Sequence, residues 1–374
     1  MCISISFIEN EKDIQQFINR QTQITKLIMK DGSYGCDLSV LKLSKLEHLT
    51  IRSCEGYEMN IAKMIIQNPK LRSLDLDIIC TCFDLDEYDD DDTGNEILTA
   101  ICELKYLESL NISINKISSD VFESLTKIIT LRELHLNYQN DDQFYNKLSK
   151  LCVLKLLRIE ALTIKPSELI GFYNYNTIIP EDIIFQFSQN FQNLKHLSFE
   201  NKLFNIIGTV LKYFIKLETF EFVCNNSDGD QDNFVIDEDI KHENLKEFKV
   251  KNIESHNMKS ILNTISACPN LELVKISGIS DISHQGLKQI LDDHLKLKYL
   301  KLGMYDFNFQ GVTAELIKSA ALQSISLSGL SQFLSLETIK EFFKEEFSCI
   351  KLFKTGWRRW SYFKLVMKKC GPLK

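Results

Sequence analysis

An α/β solenoid is the architecture that this 374-residue sequence predicts: a horseshoe with a parallel sheet on its concave face and helices on its convex face. Two observations carry the prediction. A six-residue frame, apolar-x-x-apolar-x-apolar, returns about every 25 residues along the chain. Between its copies the apolar period lengthens from two residues to that of a helix. Composition agrees with a packed, globular chain, with 44% hydrophobic and 25% charged residues.

The best-preserved copy is Leu107-Glu-Ser-Leu110-Asn-Ile112-Ser-Ile-Asn115-Lys-Ile117. Leu110 and Ile112 flank Asn111, so they share one face of a short strand. Asn115 follows the strand, where its side chain can bond backbone groups left open by a turn. One such unit cannot bury its own apolar face, so copies must stack. They begin at Ile24/Leu27/Met29, Leu46/Leu49/Ile51 and Leu71/Leu74/Leu76. After Leu107 come Leu131/Leu134/Leu136, Ile159/Leu162/Ile164, Leu194/Leu197/Phe199 and Leu217/Phe220/Phe222. The rest are Leu245/Phe248/Val250, Leu271/Val274/Ile276, Leu297/Leu300/Leu302, Leu322/Ile325/Leu327 and a degenerate Phe347/Ile350/Leu352.

Helical segments are expected between strands. Ile282, Leu287, Ile290, Leu291 and Leu295 fall mostly on one helical face, with Ser283 as a cap. Ile206, Ile207, Val210, Leu211 and Phe214 repeat the arrangement, as do Met258, Ile261, Leu262 and Ile265, which end at Pro269. Phe122, Leu125 and Ile128 form another after Ser118 or Ser119. Right-handed crossovers then give the horseshoe. The expected organisation is an N-terminal cap over 1–23, about thirteen repeats over 24–349, and a basic C-terminal cap over 350–374. Insertions fall near 80–96 and 165–191.

The frame and its helices resemble the leucine-rich-repeat superfamily over nearly the whole chain. Ser53-Cys54 and Cys224-Asn225 stand where the cysteine-containing and ribonuclease-inhibitor-like subclasses place Asn or Cys. Ile279-Ser-Asp-Ile-Ser-His-Gln-Gly-Leu287 resembles the phrase that follows the strand in F-box leucine-rich proteins, the substrate receptors of SCF-type ubiquitin ligases. That resemblance implies a protein partner on the concave face and ubiquitin-ligase subunits as further partners. Asn or Cys is missing from most repeats. Only 23 residues precede Ile24, too few for a complete F-box, so under that resemblance the expected chain is a truncated gene model, a fragment or a receptor that has lost the ligase contact.

Two other acidic or aromatic features read as surface. The insertion Cys80–Asn95 holds seven carboxylates between Asp84 and Asp92, which reads as a solvated loop in preference to a docking site for a basic partner. Cys80 and Cys82 lack a second pair with zinc spacing. Asp228–Asp239 has acids at positions 1, 3, 5 and 12 of a calcium-loop pattern, but Asn233 replaces its glycine and a strand precedes it. The end of the chain carries eight Lys or Arg after Ile350, no acids, and both tryptophans, which suits a cap over the last repeat.

No catalytic motif, glycine-rich phosphate loop or cofactor fingerprint occurs, so the expected protein is not an enzyme and needs no cofactor or metal. A net charge of -7 argues against binding nucleic acid over the whole surface. No apolar run reaches the length of a membrane span. The absence of a secretory signal and the eleven scattered cysteines suit the cytoplasm or nucleus. Strand register places His48 and Arg52, then His135, on the concave face in early repeats. In late repeats it places Lys249, Lys251, Lys275, Tyr299 and Lys301 there. Four lysines aligned in neighbouring rungs, with one aromatic, form a stripe for an acidic or phosphorylated peptide. Solvation of an exposed sheet face accounts for the same lysines.

Overall fold

The computed structural model describes residues 1–6, 16–18, 20–30, 41–52, 58–77, 92–113, 122–138, 148–151, 158–166, 179–201, 206–224, 240–253, 257–279, 284–304, 321–330, 347–355 and 362–369. The chain forms two compact units. Unit 1 is Met1–Tyr175 with Phe185–Leu194, and unit 2 is Asn176–Ile184 with Lys195–Lys374.

In unit 1 seven strands pair in parallel and in chain order: β1 (Cys2–Ser6), β2 (Lys26–Lys30), β3 (His48–Arg52), β4 (Ser73–Asp77), β5 (Ser109–Ser113), β6 (Glu133–Tyr138) and β7 (Ala161–Pro166). Each strand after β1 begins two residues after the first apolar position of a frame. Its inner residues, such as Leu74 and Leu76 or Leu134 and Leu136, are buried. The alternation is that of a pleated strand with one face against the core. Helices α1 (Glu58–Gln67) and α2 (Asp92–Cys102) pack side by side and bury Ile61, Met64, Ile65, Leu98 and Ile101. A single turn, α3 (Phe122–Leu125), follows.

A helix α4 (Glu181–Asn190) lies within the second expected insertion, and Ile184 and Phe187 on it are buried. In unit 2 the strands β8 (His196–Asn201), β9 (Thr219–Cys224), β10 (Glu247–Lys251), β11 (Leu273–Ile279), β12 (Tyr299–Met304) and β13 (Ser324–Leu330) again pair in parallel order. Their crossovers include α5 (Ile206–Tyr213), α6 (Met258–Ser266) and α7 (His284–Asp293). Phenylalanines replace leucines in this core. Phe199 meets Phe222 edge-on with centroids 5.5 Å apart, and Phe220 lies 5.9 Å from Phe248.

Twelve of the thirteen frames become parallel strands, and β1 is a further strand within the segment 1–23 expected as a cap. The last frame behaves differently. Phe347, Ile350 and Leu352 lie in β14 (Phe347–Thr355), which is antiparallel to β15 (Tyr362–Lys369); β15 in turn pairs antiparallel with β13. Residues 356–361 join the two strands, far fewer than a parallel crossover needs. The six-letter frame encodes which face is apolar, not strand direction.

One backbone device repeats from strand to strand within each unit. The carbonyl of the residue after the first apolar position accepts two N–H groups from the next repeat. Glu47 O accepts from Arg72 and Ser73, and Lys246 O accepts from Glu272 and Leu273. The side chains of those same residues alternate in charge: Glu47, Arg72, Glu108, Arg132, Glu160 in unit 1, and Lys195, Glu218, Lys246, Glu272, Lys298 in unit 2. Ion pairs join Arg72 to Glu108 at 2.8 Å, Arg132 to Glu160, Lys246 to Glu218 at 2.6 Å and Lys298 to Glu272 at 2.6 Å.

A second device lies three residues before a frame, at a position that in most described repeats is buried and held by Leu, Ile, Phe or Cys. Among the described residues three repeats bury a polar side chain there. Asn68 accepts from Leu43 N at 2.8 Å and donates to Leu41 O and Met64 O. His242 faces Phe214 O through Nε2 and accepts from Leu245 N through Nδ1. His294 faces Ile290 O, Ile265 O and Cys268 O. Each closes backbone groups that a crossover would otherwise bury without partners.

Candidate functional site

Because side chains alternate across a strand, the face opposite the core is built of rows at right angles to the strands. In unit 2 the register sets Glu221, Lys249, Lys275, Lys301 and Ser326 in one row across β9 to β13. Thr219, Glu247, Leu273, Tyr299 and Ser324 form the row beside it. Neighbouring strands lie about 4.8 Å apart, so the three lysines stand in direct succession. The sequence reading put four lysines in line. Lys251 instead sits two residues further along β10, opposite Val223 and Ser277.

The four ammonium groups differ in their surroundings. Lys249 pairs with Glu247 at 2.7 Å and Lys251 reaches back one strand to Glu221 at 2.6 Å. Lys275 and Lys301 have no acidic partner among the described residues. Burial pulls Lys275 below the usual lysine range. Lys251, Lys301 and Lys249 push it the same way, and Glu221 opposes them. Tyr299 is 40% exposed and stands next to half-buried Leu273 in its row, giving the lysines an apolar border.

The remaining candidates lie in unit 1. Arg52 donates to Asp75 at 2.9 Å, Asn111 donates to the other Asp75 oxygen at 2.7 Å, and Asn137 donates to Asn111 at 3.0 Å. This polar ladder crosses β3 to β6. Its last member, Asn137, is buried and its carbonyl oxygen has no hydrogen-bond partner. His135 lies in the Asp75–Asn111 row, and burial moves it below the ordinary histidine range against the pull of Glu133 and Asp75. His48 is half-buried between Lys26 and Ser73. Arg52 is thus engaged within the sheet. Sequence reasoning missed the ladder because its members are spread over 86 positions and meet only through register. The signal present was a short polar residue at outward positions of successive frames.

Asp77, Ser113, the acidic run 84–91, the calcium-like loop 228–239 and Trp357 with Trp360 lie outside the described residues or have undescribed side chains. Among the described residues no helix is long and apolar enough to cross a membrane, and no group of His, Cys, Asp and Glu is placed to hold a metal. Cys224 and Cys268 are buried cysteines, and burial raises the Cys268 thiol to about 12.

No family profile matches the chain, and no curated protein matches it in sequence. Solved structures do. The leucine-rich repeat-containing protein LegL7 from Legionella pneumophila is 13% identical, with a TM-score of 0.46, covering 92% of this chain and 98% of that one. The Leptospira interrogans LRR protein LIC12759 is 15% identical, with a TM-score of 0.35, covering 92% and 87%. A structure of the Rad7 and Elc1 complex in yeast is 12% identical, with a TM-score of 0.38, covering 80% and 84%. The frame, its parallel strands in chain order and the intervening helices decide the class on their own: this chain is an α/β leucine-rich-repeat solenoid.

Proposed function

We propose that this chain is a protein-binding module that catalyses nothing itself, and that its partner seats on the outward rows of the unit 2 sheet. The row Lys249–Lys275–Lys301 carries the reading: it is a cationic strip on a rigid scaffold, bordered by Tyr299 and Leu273, in a chain of net charge -7. Such a strip selects an acidic or phosphorylated protein segment. The finer reading is a substrate-recognition subunit resembling F-box leucine-rich receptors of SCF ubiquitin ligases, supported by the phrase Ile279–Leu287. Its place would be the cytoplasm or nucleus, in keeping with the eleven scattered cysteines. In this reading β1 and the β14–β15 hairpin serve as caps.

The alternative is a free-standing scaffold or inhibitor of the same fold with no ligase role. Affinity purification of the tagged full chain, read by mass spectrometry, separates the two. Recovery of a ligase adaptor and cullin with the partner supports the receptor. A stable partner without them leaves the scaffold, and no partner under any condition overturns the binding reading.

A further inference from the structure

We infer that Lys275 and Lys301 form a subsite for the phosphoryl group of a phosphorylated residue in the partner. The inference deepens the protein-binding reading above and rests on it. The first argument is charge. The two ammonium groups sit on adjacent strands, in register, and have no acidic partner among the described residues. Like charges directly opposite one another across strands are unfavourable. The flanking lysines are relieved by Glu247 and Glu221, and this pair is not. A phosphoryl group brings close to two negative charges and three strong acceptor oxygens, which matches two lysines carried in register on strands about 4.8 Å apart. A single carboxylate supplies half that charge.

The second argument is the border of the subsite. On the far side of Lys301 the row passes to Ser326, a half-buried hydroxyl on β13 that offers a further donor, and then to Val366 on β15. Alongside, Leu273 and the exposed ring of Tyr299 provide an apolar rim for the residue that carries the phosphoryl group. On the other side stand the carboxylates of Glu247 and Glu221. Each is neutralised by Lys249 or Lys251, so that side draws acids less than Lys275 and Lys301 do, and further acidic residues of the partner are favoured toward β12 and β13. The surface is therefore directional, which a general solvating lysine face would not be.

The experiment uses the full chain and fluorescent degenerate peptides with a fixed central residue: Ser, phosphoserine, Tyr, phosphotyrosine or Asp. Anisotropy titration should show one of the phosphorylated sets binding at least about tenfold more tightly than its unmodified set and the Asp set. Lys275→Gln and Lys301→Gln should each abolish that preference, while Lys26→Gln, at an exposed lysine of unit 1, keeps it. Thermal melts verify that the variants fold; removing one of two opposed like charges should not lower the melting temperature. Equal binding of phosphorylated and Asp sets, an unchanged preference in the two variants, or no peptide binding overturns the subsite. In those cases the purification experiment above still decides the protein-binding reading by itself.

Discussion

Asn111 donates from Nδ2 to Asp75 Oδ1 at 2.7 Å, and this bond sets the direction of the amide beyond it. A carboxylate only accepts, so the Asn111 carbonyl oxygen must turn the other way, where Asn137 donates to it. Asn111→Leu leaves an Asp75 oxygen and the buried Asn137 amide without partners. The expected loss is about 1–3 kcal/mol, seen as a lower urea midpoint. An unchanged midpoint would show that the ladder contributes nothing to stability.

The buried polar side chains between repeats should matter as much. Asn68→Leu removes one acceptor and two donor contacts at once, exposing Leu43 N–H, Leu41 O and Met64 O to an apolar interior. His242→Leu does the same to Phe214 O and Leu245 N–H. Each should cost about 1–3 kcal/mol, with the loss in Asn68→Leu the larger. Hydrogen exchange at Leu43 and Leu245 reads the same event locally: faster exchange is expected at Leu43 in the first variant and at Leu245 in the second.

Gly278 lies where β11 shifts register against β12, with φ of +81°. A Cβ there would stand 2.7 Å from Asn252 Cα and 2.8 Å from Asn252 N, both backbone atoms that cannot swing aside. Asn252 itself is left-handed, with φ of 57°, and donates from its N–H to Ser277 O. Gly278→Ala is therefore expected to destabilise unit 2 by a few kcal/mol, on the order of 1–3, through strain and clash together. Gly208 is the control: a Cβ there meets nothing within 4 Å, so Gly208→Ala should be neutral or stabilising.

Stability should fall with pH in two stages. His135 has a lowered pKa in the fold, so the unfolded chain takes up a proton first. Its contribution is complete above the unfolded value of 6.5 and is lost as pH drops below it. His135→Gln should flatten that limb. Glu218 and Glu272 are also lowered, by hydrogen bonds from Lys246 and Lys298. Their contribution is present above the ordinary carboxylate value of 4.5 and disappears as pH falls through the lower folded values. These pairs are exposed, so high salt should shrink the second stage. A pH profile in which salt alters both stages equally would contradict the assignment.

Most of the fold was legible because burial is periodic. Leu74 and Leu76, or Phe220 and Phe222, announce an inward face by spacing alone. The antiparallel hairpin β14–β15 was not legible, since Phe347, Ile350 and Leu352 fit the same frame and only the short link after Thr355 forbids a parallel return. Alternation along each strand names the outward residues one strand at a time, and the register then sets Lys275 beside Lys301. What the letters did not show is which lysine is already held: Glu221 meets Lys251 across strands, and Glu247 meets Lys249 on its own. Nor did they show that His242 and His294 are interior. Their position, three before a frame, is the one that Phe214 and Cys268 occupy in neighbouring repeats.

The alternation of charge at the residue after each first apolar position gives these arrays a parity. Excising the copy that carries Lys246 would set Glu218 beside Glu272, and excising the one with Glu108 would set Arg72 beside Arg132. Excising two adjacent copies restores opposite neighbours at the junction. Unequal recombination within such a gene therefore yields well-matched products when copies are gained or lost in pairs, and mismatched ones when they change singly.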